Sequence, residues 1–210
     1  MTRRLLLARH GQSTTNAADV FTGWSDPPLT GRGVAEAHAM TAALADAGAV
    51  PDIIFTSSLQ RAIHSASIVR DELCPLVELR SSEALDERDY GDLTGLNKAE
   101  IAIRYGAEQT RTWRRSWTAA PPHGESLRDT AARVLPYYLR EILPAVLSGQ
   151  TVLVVAHGNS LRALMIVLEG VPPAAAETIE IGTGAIRSYL MDPSSAIASA
   201  SWLLRHAGVH

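Results

Sequence analysis

Short apolar runs recur along the chain, and polar or glycine-containing segments follow them. The runs cover residues 5–8, 52–55 and Thr151–Ala156, with a weaker fourth at Ile186–Met191. Runs of this length are typical of strands that are buried on both faces of a sheet. The pattern therefore predicts four strands of a central sheet.

Apolar residues between these runs recur every three or four positions, which indicates helices that pack one face against a core. Ser126 and Asp129 have the spacing of a capping box at the start of the longest of them. Strands that alternate with helices predict an α/β fold, a three-layer sandwich with a mostly parallel central sheet flanked by helices. The predicted helices cover residues 33–47 (ending before Gly48), 59–73, 126–147 and 161–168 (ending before Gly170).

The 210-residue chain shows no internal repeat and no low-complexity linker, so we expect one domain over residues 1–210. Two loop-rich regions, 11–31 and 84–122, are long enough to carry function. The tail after Asp192 has little pattern, and no element is predicted there.

Composition narrows the class of protein. With 46% hydrophobic residues, 20% charged residues and a net charge of -3, we expect a soluble protein without a nucleic-acid partner. Cys74 is the only cysteine, which excludes an intrachain disulfide and argues against a cysteine-built metal site. The apolar run after Arg4 is too short for a signal peptide, and no stretch approaches membrane-spanning length. We therefore expect a cytoplasmic protein without membrane contact.

Two His-Gly pairs directly follow predicted strands. Arg9-His10-Gly11 follows residues 5–8, and His157-Gly158 follows Thr151–Ala156. Ligands of open α/β sheets bind outside the carboxyl ends of the strands, and glycine lets backbone N–H groups approach an anion closely. One such pair fits an ordinary turn with a hydrogen-bonded histidine. Two pairs favour an anion site at one edge of the sheet.

Arg61 follows the second predicted strand, in the first turn of the next helix. A cation there opposes the helix dipole at a small cost, which a surface arginine could tolerate. Because Arg9 and two histidines are expected at the same edge, we favour an Arg61 that binds a phosphate bidentately.

In order along the chain, the motifs resemble the cofactor-dependent phosphoglycerate mutases, from Leu5 to about Tyr189. Arg-His-Gly alone is shared by the wider histidine phosphatase superfamily, whereas the ordered set is specific. The motifs are Arg9-His10-Gly11-Gln12-Ser13, Asn16, Phe21-Thr22-Gly23-Trp24, Leu85-Asp86-Glu87-Arg88-Asp89-Tyr90-Gly91-Asp92-Leu93, Gly95-Leu96-Asn97-Lys98, Trp113-Arg114-Arg115-Ser116, Gly124-Glu125-Ser126-Leu127 and His157-Gly158-Asn159-Ser160-Leu161-Arg162.

The resemblance implies a phosphoglycerate mutase-like fold and a role for each matching residue. His10 would become phosphohistidine, primed by 2,3-bisphosphoglycerate and without a metal. Arg9, Arg61 and His157 would surround the transferring phosphoryl group, and Glu87 would be the general acid and base. A homodimer is the family-based expectation. The residues implied to hold the rest of the substrate are Ser13, Asn16, Thr22, Gly23, Arg88, Tyr90, Lys98, Arg114, Arg115, Gly158 and Asn159.

Physical chemistry adds expectations about charge at these positions. Arg9, Arg61 and a protonated His157 would stabilise the transferring phosphoryl group, and the two arginines would disfavour protonation of His10. Glu87 lies in an acidic run that would raise its pKa if it is also buried. Taken alone, the charged run of residues 86–89 is typical of a loop exposed to solvent.

The leading hypothesis is interconversion of 3-phosphoglycerate and 2-phosphoglycerate, in glycolysis and gluconeogenesis. A phosphatase with the same nucleophile is the nearest alternative, and a catalytically inactive phosphoester-binding module is a third. Lys98, Arg114 and Arg115 favour the mutase, because a hydrolase needs no second clamp on the substrate. The chain resembles the compact form of the family, from which Thr14, Thr15 and Arg187 depart.

Overall fold

The computed structural model describes residues 3–192, 194 and 196–205. Within them, six strands form one sheet with the order β3-β2-β4-β1-β5-β6. The first four in this order are parallel to one another, β5 runs antiparallel to β1, and β6 runs antiparallel to β5. The strands are β1 (Arg3–Arg9), β2 (Ile53–Thr56), β3 (Leu79–Ser81), β4 (Thr151–Ala156), β5 (Ile186–Met191) and β6 (Ile197–Leu204).

Helices flank this sheet, and short 3₁₀ turns lie at Glu83–Leu85, Gly91–Leu93 and Pro173–Thr178. The helices are α1 (Thr14–Ala17), α2 (Gly31–Asp46), α3 (Gln60–Leu73), α4 (Lys98–Tyr105), α5 (Ala107–Arg115), α6 (Leu127–Tyr137), α7 (Leu143–Leu147) and α8 (Gly158–Leu168).

Side chains of β1 show why the sheet is the middle layer. Leu5 and Leu7 belong to the hydrophobic core shared with α6, α7 and α8. Leu6 and Ala8 belong to the core on the opposite face, which is shared with α2 and α3. Successive residues of a strand point to opposite faces, so a continuous apolar run is required where both faces are covered. The predicted three-layer α/β sandwich is confirmed.

All four predicted strands are present, and the predicted helices correspond to α2, α3, α6 with α7, and α8. Gly48 and Gly170 adopt the left-handed conformation (φ +55° and +61°) expected just beyond a helix. Ser126 and Asp129 form the predicted capping box. The sheet is mostly parallel, as predicted.

The predicted long helix of residues 126–147 is interrupted. A π-helical segment, Tyr138–Ile142, separates α6 from α7. Pro144 lies just beyond this segment, and proline has no N–H to donate to the preceding turn. A single wider turn is the usual accommodation of such an interruption.

Two strands, β3 and β6, were not predicted from the sequence. Strand β3 has three residues and two of them are exposed, so it has no apolar run. Strand β6 occupies the tail after Asp192. Its first half consists mainly of exposed alanines and serines, so it has no apolar run either. Residues 1–2 and 206–210 lie outside the described residues, and the single domain over 1–210 stays a prediction.

Candidate active site

The two histidines meet at the carboxyl edge of the sheet. Strands β1 and β4 are adjacent, with Arg9 paired to Ala156 in the register, so His10 and His157 leave the sheet side by side. The backbone N–H of His10 donates to the carbonyl of Ala156 at 3.0 Å. The ring centroids are 4.8 Å apart, and both rings are buried. The predicted juxtaposition is confirmed.

A hydrogen bond fixes the tautomer of His10. Its Nδ1 lies 2.6 Å from the carbonyl oxygen of Gly11. A carbonyl can only accept, so Nδ1 carries the proton when the imidazole is neutral. The lone pair then lies on Nε2, which makes that nitrogen the nucleophilic atom of the ring.

Both imidazoles are neutral near pH 7. Burial, then Arg61 and Arg9, hold the pKa of His10 well below its ordinary value. Burial, then Arg61, His10 and Arg9, lower the pKa of His157 in the same way. The predicted effect of the arginines on His10 is therefore confirmed, whereas the expectation of a protonated His157 is wrong.

A pH titration followed by NMR tests these protonation states. We expect the ring signals of His10 and His157 to stay constant from pH 8 to about 6, because the folded pKa values lie below the reference of about 6.5. In urea-unfolded protein the same rings should titrate near that reference. Since the unfolded chain then binds more protons, the free energy of unfolding should fall as the pH drops below about 6.5. A midpoint near 6.5 in the folded state would contradict the lowered pKa values.

Arg9 and Arg61 lie beside the histidines. Arg9 ends β1 and donates from Nη1 to the carbonyl of Ile181 at 2.7 Å, while its buried Nε has no partner among the residues described. Arg61 lies in the first turn of α3 and is fully buried. Its two terminal nitrogens donate to the carbonyls of Ser25 and Gly23, at 2.8 and 3.0 Å. Both terminal nitrogens therefore have carbonyl partners, and the bidentate phosphate contact of Arg61 stays a prediction.

Glu87 is buried, and its Oε1 accepts backbone N–H groups from Arg88 at 2.8 Å and Asn159 at 3.1 Å. Burial alone would raise its pKa. The Arg88 hydrogen bond, the charges of Arg9 and Arg61 and the Asn159 hydrogen bond outweigh it, so the pKa of Glu87 is lowered. The expectation of a raised pKa is wrong, because these cations and N–H donors decide the direction.

The loop that carries Glu87 is held from behind by Arg133 of α6. Its guanidinium donates to the carbonyls of Ala84 at 3.1 Å, Asp86 at 2.9 Å and Glu87 at 2.8 Å, and pairs with the carboxylate of Glu125. One arginine thus satisfies several carbonyls of a loop that has few backbone partners of its own. Glu87 therefore lines the same cavity as His10 from a fixed backbone.

A cavity of about 110 Å³ opens among these groups. Ser13, Gly23, Arg88 and His157 lie behind its wall. The predicted residues that line it are Arg9, His10, Asn16, Thr22, Arg61, Glu87, Tyr90, Lys98, Arg114, Arg115, Gly158 and Asn159.

The residues behind the wall have supporting contacts. Ser13 caps α1 by accepting the N–H of Asn16. Gly23 has a positive φ of +51°, and its carbonyl is one of the acceptors of Arg61. Arg88 is fully buried, lies over the ring of Tyr90 at 5.0 Å and donates to the carbonyl of Arg114.

Lys98, Arg114 and Arg115 form a second cationic group at the mouth of the cavity. All three also line an adjoining cavity of about 320 Å³. Lys98 pairs with Asp19 and Arg115 pairs with Glu180, each at 2.8 Å. The site therefore has cations both beside the histidines and at its entrance, as a ligand with two anionic ends requires.

Three residues of the site were not predicted from the sequence. Ser57 Oγ lies 2.7 Å from Nε2 of His157, at the end of β2. Arg162 lines the cavity and donates to the side chain of Asn159 at 2.6 Å, one helical turn away on α8. Glu180 also lines it. Ser57 follows a predicted strand and Arg162 lies three residues after Asn159, so both could have been predicted as site residues. Nothing in the sequence marks Glu180.

Gly11 has a packing role where an anion contact was expected. Its N–H donates to Ser65 Oγ at 3.0 Å, so it is not free for an anion. A Cβ at position 11 would lie 2.1 Å from the carbonyl oxygen of Gly33. We expect Gly11→Ala to lower the free energy of unfolding by about 2–4 kcal/mol, measured by urea denaturation. Gly31→Ala, which meets no atom within 4 Å, is the control; equal losses would contradict this packing.

The part of the chain that the structure describes contains no group of three or more His, Cys, Asp or Glu side chains placed to hold a metal. The helices described there are also too short or too polar to cross a membrane.

Comparison with known proteins identifies the class first. The family model of the histidine phosphatase superfamily (branch 1) matches residues 5–200. A 2,3-bisphosphoglycerate-dependent phosphoglycerate mutase of Rhizobium rhizogenes is 50% identical over 211 residues, covering 100% of both chains. The chain therefore belongs to the histidine phosphatase superfamily, within the family of 2,3-bisphosphoglycerate-dependent phosphoglycerate mutases. The resemblance predicted from the motifs is confirmed.

Solved structures give the same fold. Mycobacterial hydrolase 1 is 28% identical with a TM-score of 0.80, covering 98% of both chains. A mycobacterial glucosyl-3-phosphoglycerate phosphatase is 31% identical with a TM-score of 0.76, covering 89% of this chain and 92% of its own. These structural relatives are named as hydrolases, whereas the relative at 50% identity is named as a mutase.

Proposed function

We propose that this protein interconverts 3-phosphoglycerate and 2-phosphoglycerate through a phosphohistidine at His10. The observation that carries the proposal is the histidine pair. His10 is neutral with its lone pair on Nε2, and its ring centroid lies 4.8 Å from that of His157. Arg9, Arg61 and Glu87 line the same cavity. A nucleophile, cations and a proton carrier are thus brought together, as phosphoryl transfer requires.

His10 and Glu87 divide the bond changes between them. As Nε2 of His10 forms a bond to phosphorus, the bond from phosphorus to the donor oxygen breaks, and that oxygen takes a proton from Glu87. In the second half, a substrate hydroxyl attacks the phosphorus on His10. The N–P bond breaks, its electron pair returns to Nε2, and the Glu87 carboxylate accepts the hydroxyl proton.

The pKa of Glu87 suits this double role. Arg9 and Arg61 help to keep it ionised in the free site. A phosphoryl group beside the arginines neutralises part of their charge, and the burial of Glu87 then favours the protonated form. The carboxyl group therefore gains a proton when the phosphoryl donor is bound. It gives that proton to the leaving oxygen as the phosphohistidine forms, and it accepts one again when a hydroxyl attacks the phosphohistidine.

The site fits 2,3-bisphosphoglycerate as the phosphoryl donor. This molecule would supply the phosphoryl group that primes His10. Nε of Arg9 and Nη1 of Arg115 are buried without a hydrogen-bond partner in the described chain, so both can donate to bound anions. Lys98 and Arg114 add charge at the mouth. We propose no metal, because these cations stabilise the charge on the transferring group.

One assay tests the proposal. Purified protein receives 3-phosphoglycerate with and without catalytic 2,3-bisphosphoglycerate, and both 2-phosphoglycerate and free phosphate are measured. We expect isomerisation that depends on the bisphosphate, with little free phosphate. Isomerisation without any bisphosphate requirement, or none at all, would contradict the proposed function.

A phosphatase is the second candidate, because the two structural relatives above are named as hydrolases. It would use the same phosphohistidine and transfer the phosphoryl group to water. Free phosphate as the main product of the same assay would select it. The second cationic group of Lys98, Arg114 and Arg115 favours the mutase.

The remaining expectations concern assembly and location. We propose a homodimer in the cytoplasm that uses small-molecule phosphoglycerates and binds no nucleic acid. Light scattering coupled to size-exclusion chromatography measures the assembly directly. A monomeric mass at micromolar concentration would rule out the dimer.

A further inference from the structure

One carboxylate is out of place at the mouth of the site. The cavity that contains His10 and the adjoining cavity are lined mainly by cations. Besides Glu180, the carboxylates that line them are Glu87, which is buried, and Asp19, which pairs with Lys98. Glu180 lines both cavities. A negative charge at this position repels an anionic ligand, so its presence calls for a functional explanation.

Glu180 occupies one side of a cation that the ligand needs. Its Oε1 lies 2.8 Å from Nη2 of Arg115. Nη1 of the same guanidinium is buried and has no hydrogen-bond partner in the described part of the chain. Arg115 is therefore held by a carboxylate on one nitrogen and open to an acceptor on the other. A ligand anion at Arg115 must share the guanidinium with Glu180 or displace it.

The backbone around Glu180 is fixed on both sides. The carbonyl of Ile179 accepts from Nε and Nη2 of Arg162, at 3.1 and 3.0 Å. The carbonyl of Ile181 accepts from Nη1 of Arg9 at 2.7 Å. Three arginines of the site thus hold three consecutive residues, and only Glu180 is held through its side chain.

Exposure shows which partner can move. The side chain of Glu180 is 57% exposed, and that of Arg115 is 19% exposed. Glu180 can therefore rotate into solvent with little loss of packing, whereas Arg115 is confined. An ion pair with one exposed partner is weak, so a ligand anion can replace it at small cost.

We propose that Glu180 is a specificity-determining residue that competes with the second anionic group of the ligand for Arg115. It weakens the binding of doubly anionic ligands and leaves a single phosphate near His10 less affected. The inference rests on the proposed function, because it takes phosphoglycerates as the ligands. Its physical effect is to prevent the ligand from being held too tightly at Arg115, which favours release of the product.

Glu180→Gln tests the competition. The variant keeps the size of the side chain and removes its charge. We expect the Kd of 2,3-bisphosphoglycerate, measured by calorimetry at low salt in a His10→Ala background that cannot accept the phosphoryl group, to fall about three- to tenfold, since a partly exposed ion pair has a modest energy. The Kd of inorganic phosphate, which has no second anionic end, should change less than twofold. In the protein that keeps His10, Glu180→Gln should also lower KM for 3-phosphoglycerate.

Glu177→Gln is the matched control. It removes the same charge from the nearby 3₁₀ turn, and Glu177 lines neither of the two site cavities. We expect no measurable change in either Kd. If Glu177→Gln tightens the bisphosphate as much as Glu180→Gln does, a general effect of net charge explains the result and the proposal is wrong.

Two results distinguish this inference from the proposed function. Weaker binding of the bisphosphate by Glu180→Gln would show that Glu180 holds Arg115 in place for the ligand, which overturns the competition. This comparison uses binding alone, so it stands whether or not the protein isomerises phosphoglycerate. Failure of the wild-type protein to isomerise would instead count against the proposed function.

Discussion

Replacing His10 by alanine is expected to lower the isomerisation rate by about 10⁴-fold or more, because the variant lacks the atom that accepts the phosphoryl group. The hydrogen bond from Nδ1 to Gly11 leaves Nε2 as the only nucleophilic nitrogen of the ring. His157 is not among the residues that line the cavity, and its Nε2 lies 2.7 Å from Ser57 Oγ. Steady-state kinetics with 3-phosphoglycerate measures the loss.

His64→Ala is the matched control for this variant. His64 lies on α3 and is exposed, so its removal should leave the rate within twofold of the wild type. Circular dichroism and thermal unfolding show whether the His10 variant keeps its fold. A folded His10→Ala variant with a substantial rate would contradict a covalent mechanism.

Glu87→Gln is expected to lower kcat by about 10²- to 10⁴-fold. Glutamine has nearly the same shape, and its side-chain oxygen can still accept the N–H groups of Arg88 and Asn159. It cannot accept the proton of the attacking hydroxyl. We therefore expect KM to change much less than kcat, because the loss occurs in the transition state.

Glu83→Gln is the control for the acidic loop, since Glu83 is exposed at the surface four residues away. Its kcat should match that of the wild type. A Glu87→Gln variant with normal kcat would show that proton transfer uses another group. A large rise in KM at unchanged kcat would assign Glu87 to substrate binding instead.

The strands that position the site could be predicted because burial leaves a direct signal. Both faces of β1 and β4 are covered, so nearly every residue is apolar, and the histidines follow where the apolar runs end. The parallel register then brings His10 and His157 together. Strand order, handedness of the connections and the position of ligands at strand ends are general properties of such sheets.

Helices α4 and α5 could not be predicted, although they carry Lys98, Arg114 and Arg115. Each has a single buried residue, Ile101 in one and Thr110 in the other. A helix with so little buried surface has no apolar stripe, which is the signal that sequence reasoning uses. The cationic mouth could therefore be named from motifs, but not placed on helices.

The pKa of Glu87 shows why local sequence misleads about electrostatics. Its neighbours along the chain are acidic, which predicted a raised pKa. Its neighbours in space include two arginines and two backbone N–H donors, which lower it. These groups come from four different segments, so only the folded chain reveals their sum. The roles of Arg133 and Glu180 could not be predicted for the same reason, because their partners, Glu87 and Arg115, lie far away along the chain.

The most direct test of the central claim is ³¹P NMR of the wild-type protein after incubation with 2,3-bisphosphoglycerate and removal of free ligand. We predict a phosphohistidine signal on His10 that disappears when 3-phosphoglycerate is added, with the phosphorus recovered in phosphoglycerates. Absence of any phosphoprotein signal, or phosphorus attached to a residue other than His10, would contradict the account.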